Sequence, residues 1–254
     1  MSFAPEPETC TRSYRGNHGH RLIGDGRTVA VVATNGTIIW LCWPHFDSPS
    51  VFGARPDSQR GGFFRIAAIP HPPAKQLYVS GTSILITRYL SHGGIGEVQD
   101  FMPVEGPQAV IRRARCVGGT TRFRVECEPR FNGGRDKHAT TITAEGASFR
   151  APSLTLTLRT SVSLEPTPKG VVAEFELRAG KTASFVLRER GESDHRLTEA
   201  AVQVLFDKTV AYWQEQAMGT PRPAQAVHQP GPDRLRISQS VPLQHPAPRM
   251  HPPA

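Results

Sequence analysis

From about residue 28 to residue 190 the apolar positions recur at every second residue in short runs, and Gly, Pro and Asn punctuate them. Leu154 to Leu158, Val171 to Leu177 and Ala183 to Leu187 each alternate in this way, so each predicts a strand with one apolar face. Sheets of such strands bury that face by stacking on one another. The pattern therefore predicts an all-β fold, a large antiparallel β-sandwich over residues 21–192. Near its start, Val29 to Val32 reads as a strand, Thr34-Asn35-Gly36-Thr37 as a tight turn and Ile38 to Trp43 as the returning strand, followed by a Pro-bounded loop. Arg122-Phe123-Arg124-Val125-Glu126-Cys127 alternates charged with apolar residues, which sets the charges on a solvent-facing side. Gly118-Gly119 just before it reads as a turn between two strands.

The period changes near the end of this region. Val202, Leu205, Phe206, Thr209, Val210 and Trp213 fall at helical spacing and predict a linker helix over 196–218. Its apolar stripe needs a partner, and without one it is expected to stay partly exposed. Beyond Gly219 the composition turns to Pro, Gln, His and Arg with no sustained periodicity, which predicts a disordered Pro-rich tail over 219–254. Residues 1–20 read as a flexible N-terminus, and no internal repeat is evident.

At 254 residues and 38% hydrophobic content the chain can bury a real core. A mean hydropathy of -0.35 fits half-exposed sheets better than a buried parallel one. No run approaches the roughly 18 to 20 apolar residues of a membrane span. The start Met1-Ser2-Phe3-Ala4-Pro5-Glu6 has no basic and apolar signal segment, so no membrane association and a cytoplasmic location are expected. The net charge of +8 raises nucleic acid as a partner. Arg222, Arg234, Arg236 and Arg249 stand against Asp233 alone in the tail, however, and the remaining arginines sit on sheet faces; no nucleic-acid partner is expected. The four cysteines, at 10, 42, 116 and 127, show no paired motif and read as free thiols.

Chemistry is concentrated between Ile23 and Phe52. Asp25, Arg27, Trp40, Trp43 and Asp47 combine carboxylates that accept sugar hydroxyls with indole faces that stack on sugar rings. The competing reading makes the two aspartates turn formers and the two tryptophans core or domain-interface anchors. Glu97 and Asp100 lie close in sequence, but their odd spacing on a strand turns them to opposite faces, which disfavours a catalytic pair. His18 and His20 with Cys10 lack a fourth ligand for zinc. Gly24-x-Gly26 lacks the third glycine of a dinucleotide loop, and Ser48 and Ser50 lack the strand-turn-helix elbow of a nucleophilic serine. No catalytic residue, metal or cofactor is assigned.

Ile23 to Thr28, Gly36, Trp40 to Cys42 and Phe46 to Ser50 together resemble the N-terminal domain of bacterial family 15 glycoside hydrolases, the glucoamylase and trehalase-like proteins. The likeness continues through Gly61-Gly62-Phe63-Phe64, Val98 to Pro103, Arg112 to Cys116 and Glu128 to Phe131, and ends at Thr209 to Trp213. Ile39 and His45 stand where that family usually has an acidic residue and an arginine. The resemblance implies the same sandwich, a role in hydrolysis of α-glucan or trehalose, and a helical catalytic barrel as partner. In that family two glutamates of the barrel act as acid and base, and no residue here matches them. A truncated gene or a shifted reading frame, leaving a domain inactive alone, is one expectation. A stand-alone carbohydrate-binding module for α-glucoside sugars and a glycosidase with unrecognised carboxylates are the alternatives.

Overall fold

A computed structural model describes residues 19–53, 61–191 and 198–219. Cys10, His18, the expected N-terminus up to residue 18 and the expected tail from residue 220 onward lie outside the described residues. The described chain is built almost wholly of antiparallel strands, with the helix α2, Glu199–Gly219, at its end.

Two sheets form the sandwich. The first contains β1 (Arg21–Gly24), β2 (Val29–Val32), β3 (Thr37–Cys42), β4 (Ser50–Gly53), β5 (Phe63–Ile69), β13 (Glu165–Thr167) and β14 (Gly170–Arg178). The second contains β6 (Ala74–Tyr78), β7 (Leu85–Ser91), β8 (Gly94–Phe101), β10 (Ala139–Thr143), β11 (Gly146–Arg150), β12 (Thr155–Arg159) and β15 (Thr182–Glu189). A tight turn labelled α1 (Phe131–Gly134), left-handed at Asn132 and Gly133, follows the strand that joins them.

That strand is β9, Val110–Glu128, and it belongs to both sheets. Its first part pairs β15 from Val110 to Arg115, and its last part pairs β14 and β5 from Thr120 to Glu128. The turn expected at Gly118-Gly119 is therefore a bend inside one continuous strand. Gly119 takes a positive φ of 68°, and a Cβ there would collide with the Gly93 carbonyl, so only glycine allows the strand to change sheets this close to β8.

The hairpin of β2 and β3 forms at Gly36, whose φ is 77°. Strict alternation fails inside it, because Val31 pairs Trp40 while Val32 pairs Ile38, leaving Ile39 as the extra residue of a bulge. Ile38 and Leu41 thus both reach the core, and Ile39 and Trp40 both sit half-buried outside it.

Between the sheets the inward positions of β5, β9 and β15 pack Phe64, Ile66, Phe123, Val125, Phe185 and Leu187 at full burial. Each such side chain contributes on the order of 1.5 to 3 kcal/mol through removal from water. The outward positions of β9 in the first sheet carry Arg122 and Arg124, which pair with Glu174 of β14. Cys42, Cys116 and Cys127 are buried free thiols.

The apolar stripe of the helix finds a partner within the described chain: Val202 is buried, and the half-buried Leu205, Phe206 and Val210 pack beside it on Phe101, Ile111 and Val186 of the second sheet and on Ile84 and Ala109 at its strand ends. Phe206 meets Phe101 edge-on with ring centroids 5.5 Å apart. Thr198 caps the first turn by accepting the Ala201 N–H at its Oγ1. No helix is long and apolar enough to cross a membrane among the described residues.

Candidate functional site

The loop from Gly24 to Thr28 is shaped by its aspartate. Asp25 Oδ1 accepts the backbone N–H of Arg27 at 2.9 Å and of Thr28 at 3.0 Å, while Gly26 turns the chain at a φ of 84°. Oδ2 accepts Arg27 Nε at 3.2 Å, with the Asp25 side chain wholly covered and that of Arg27 43% exposed. The carboxylate is consumed by its own loop.

Two bonds fasten this loop to the end of β3 and to the Pro-bounded loop after it. Thr28 Oγ1 donates to the Cys42 carbonyl at 2.8 Å, and the Arg27 carbonyl accepts the Phe46 N–H at 3.2 Å. The second loop is closed on itself by Ser48, whose Oγ accepts the His45 N–H at 3.1 Å and whose N–H donates to the His45 carbonyl. From the β8–β9 connection, Gln108 Nε2 donates to the Pro44 carbonyl at 2.7 Å, beside a cis Trp43-Pro44 bond. Sequence reading missed Thr28 and Gln108. Thr28, a hydrogen-bonding residue where a turn meets a strand, carried a local signal, whereas Gln108 comes from a segment that only the tertiary fold brings near.

Asp25, Arg27, Trp43 and Asp47 are thereby gathered on adjoining loops, while Trp40 stands apart on β3, half-buried among the outward residues. Trp43 is 2% exposed, and its indole Nε1 finds no acceptor among the described residues. Asp47 and Phe46 project, Phe46 with 68% of its surface exposed. The charge of Asp47 is still felt at Cys42, whose thiol pKa rises mainly through burial and secondarily through that carboxylate.

Glu97 and Asp100 are both buried and turn to opposite faces of β8. Glu97 accepts Arg88 Nε at 2.7 Å on the outer face, and Asp100 accepts Arg112 Nε at 2.8 Å between the sheets. Each is neutralised by its own arginine. Among the described residues, no three His, Cys, Asp or Glu side chains assemble into a group able to hold a metal ion.

A family profile described as trehalase-like, N-terminal, matches residues 15–163. The trehalase of Thermoplasma volcanium is 26% identical over 208 residues, which cover 78% of this chain and 33% of that protein. Trehalase 1 of Sulfolobus acidocaldarius is 41% identical over 94 residues, covering 37% of this chain and 16% of that protein. The trehalase of Mycolicibacterium smegmatis is 32% identical over 133 residues, or 44% of this chain and 20% of that protein. The chain spans about a third or less of the length of these curated relatives.

Proposed function

The chain belongs to the trehalase-like N-terminal family, and from that premise we propose that it is the noncatalytic sandwich domain of a family 15 glycoside hydrolase acting on trehalose or an α-glucan. In this reading, acid and base are supplied by a helical catalytic barrel that these residues do not include. The domain itself holds the barrel and shapes the edge of its active site.

The observation that carries the reading is the fate of the carboxylates. Glycosidic hydrolysis by the usual route needs two carboxyl groups facing one cleft, about 5 to 9.5 Å apart depending on stereochemistry. Asp25, Glu97 and Asp100 are each spent on an arginine, and Asp47 stands at a loop tip. A loop that exposes the phenyl ring of Phe46 and holds an indole donor without an acceptor at Trp43 is suited to press on a neighbouring domain. Burial of Trp43 also removes one of the two stacking faces that a stand-alone carbohydrate-binding module would use.

Two measurements test the reading. Purified chain incubated with trehalose, maltose and starch should release no glucose; sustained release lost on Asp47→Asn would overturn the noncatalytic assignment. Mixed with the separately expressed catalytic barrel of a family 15 enzyme, the chain should co-elute on gel filtration. The Phe46→Ala/Asp47→Ala double variant should bind that barrel at least tenfold more weakly, and equal binding would remove the loop from the interface.

A further inference from the structure

A concave site lies on the outer face of the second sheet, formed by β10, β11 and β12 and by Arg190 just past β15. It is a cleft of about 250 Å³ lined by Thr141, Thr143, Ser148, Arg150, Arg159 and Arg190, among others. The register explains how residues distant in sequence converge there. Thr141 pairs Ser148 and Ser148 pairs Thr157, which lays a row of three hydroxyls across the strands. One row away Arg150 pairs Thr155, and the Thr155 carbonyl accepts the Arg190 N–H at 2.9 Å, so Arg150 and Arg190 flank the same residue. One row the other way Arg159 opposes Gly146 and is tied to Glu145 at 3.1 Å.

We propose that this cleft binds the phosphate monoester of a sugar, with the phosphate between Arg150 and Arg190 and the sugar hydroxyls on the Thr141 and Ser148 row. Neither Arg150 nor Arg190 has a carboxylate partner among the described residues, and no Asp, Glu or aromatic residue lines the cleft. A neutral sugar would find neither the carboxylate acceptors nor the ring platform that such ligands use. An anion would find two guanidinium groups, whose fork geometry suits phosphate oxygens, and hydroxyls that both donate and accept. The volume lies just below the roughly 300 to 1,000 Å³ of drug-sized sites, and it leaves room for a ring beyond a bare phosphate. This site is independent of the proposed interface, since its residues lie on strands that carry none of the Asp25 to Asp47 loops.

Titration calorimetry on the full chain at low salt decides it, with glucose 6-phosphate, inorganic phosphate and glucose as separate probes. Glucose 6-phosphate should bind saturably, inorganic phosphate several-fold more weakly, and glucose without measurable heat. The Arg150→Gln/Arg190→Gln variant changes two exposed side chains and should fold as the parent does by circular dichroism. It should bind glucose 6-phosphate about tenfold to a hundredfold more weakly, the scale of losing charged hydrogen bonds. No binding of glucose 6-phosphate, or equal binding by the folded variant, overturns the site. Equal affinity for inorganic phosphate overturns the sugar assignment.

Discussion

The Arg112 guanidinium and the Asp100 carboxylate face each other with no solvent contact, Nε to Oδ1 at 2.8 Å and Nη2 to Oδ2 at 3.1 Å. The remaining donors of Arg112 go to the carbonyls of Phe64 and Gly36, and its cationic plane lies 4.8 Å from the centre of the Phe64 ring. One side chain thus ties β8, β9, β5 and the β2–β3 turn together. Nearby, Tyr89 donates to the Asn35 or Ile66 carbonyl at 3.1 Å, and burial pushes its phenol pKa above the ordinary value.

A buried pair of this kind is costly to break and cheap to replace as a whole. Asp100→Ala should lose about 3 to 5 kcal/mol in urea unfolding, because it strands a buried guanidinium. Asp100→Leu combined with Arg112→Met should lose markedly less than the single change. If the double variant were the less stable of the two, the pair would be a net stabiliser in its own right.

The bend in β9 predicts a sharp contrast between adjacent glycines. Gly119→Ala forces a side chain into left-handed backbone, costing about 1 to 2 kcal/mol before the clash with the Gly93 carbonyl is added. Gly118 has open space where its Cβ would go, so Gly118→Ala should shift the unfolding midpoint little. Equal effects in urea titrations would show that the strand does not need its glycine to change sheets.

These glycines also show where the sequence stopped being legible. The alternating runs and the Asn35-Gly36 turn are local signals, and the sandwich follows from them. Gly118-Gly119 looks the same in sequence whether a chain reverses or merely bends. Only the pairing of Gly119 with Gly94 and of Thr120 onward with β14 distinguishes the two outcomes. The Asp25 loop was readable because its bonds span two or three residues, and the hold of Gln108 on Pro44 was not, since the two lie 64 residues apart. The arginine cleft was invisible for the same reason, its lining being set by strand register. The helix stripe was legible, but the surface that covers it was not.

That surface predicts how α2 is held. The Glu199 carboxylate accepts the Ser184 N–H and Oγ–H at 2.8 Å each and the Thr182 hydroxyl at 3.0 Å, while Gln203 accepts Arg113 at 2.7 Å one turn later. Glu199→Ala should therefore loosen the helix from its N-terminal end, lowering hydrogen-exchange protection over 200–210 and leaving β9 and β14 unchanged. The cost should be about 1.5 to 3 kcal/mol, the scale of hydrogen bonds to a charged group. Lys208→Ala removes only an exposed pair with Glu105 and should cost at most about 1 kcal/mol. Unaltered protection in the Glu199 variant would assign the grip to the apolar contacts of Val202, Leu205, Phe206 and Val210 and to Gln203.

The imidazole of His138 sits edge-on between Phe131 and Phe149, at centroid distances of 5.4 and 6.0 Å. Partial burial, and secondarily the charge of Arg130, lower its pKa below the ordinary 6.5. The folded chain thus holds the neutral ring more strongly than the unfolded chain does. The unfolded state then binds more protons below pH 6.5, so stability is complete above that value and is lost as pH falls through the lower folded value. His71 is shifted in the same direction, chiefly by burial. Comparing His138→Phe with the parent cancels that contribution. Thermal unfolding between pH 8 and pH 5 should show a shallower decline in Tm for the variant. Parallel declines would mean that His138 enters both states with the same proton affinity.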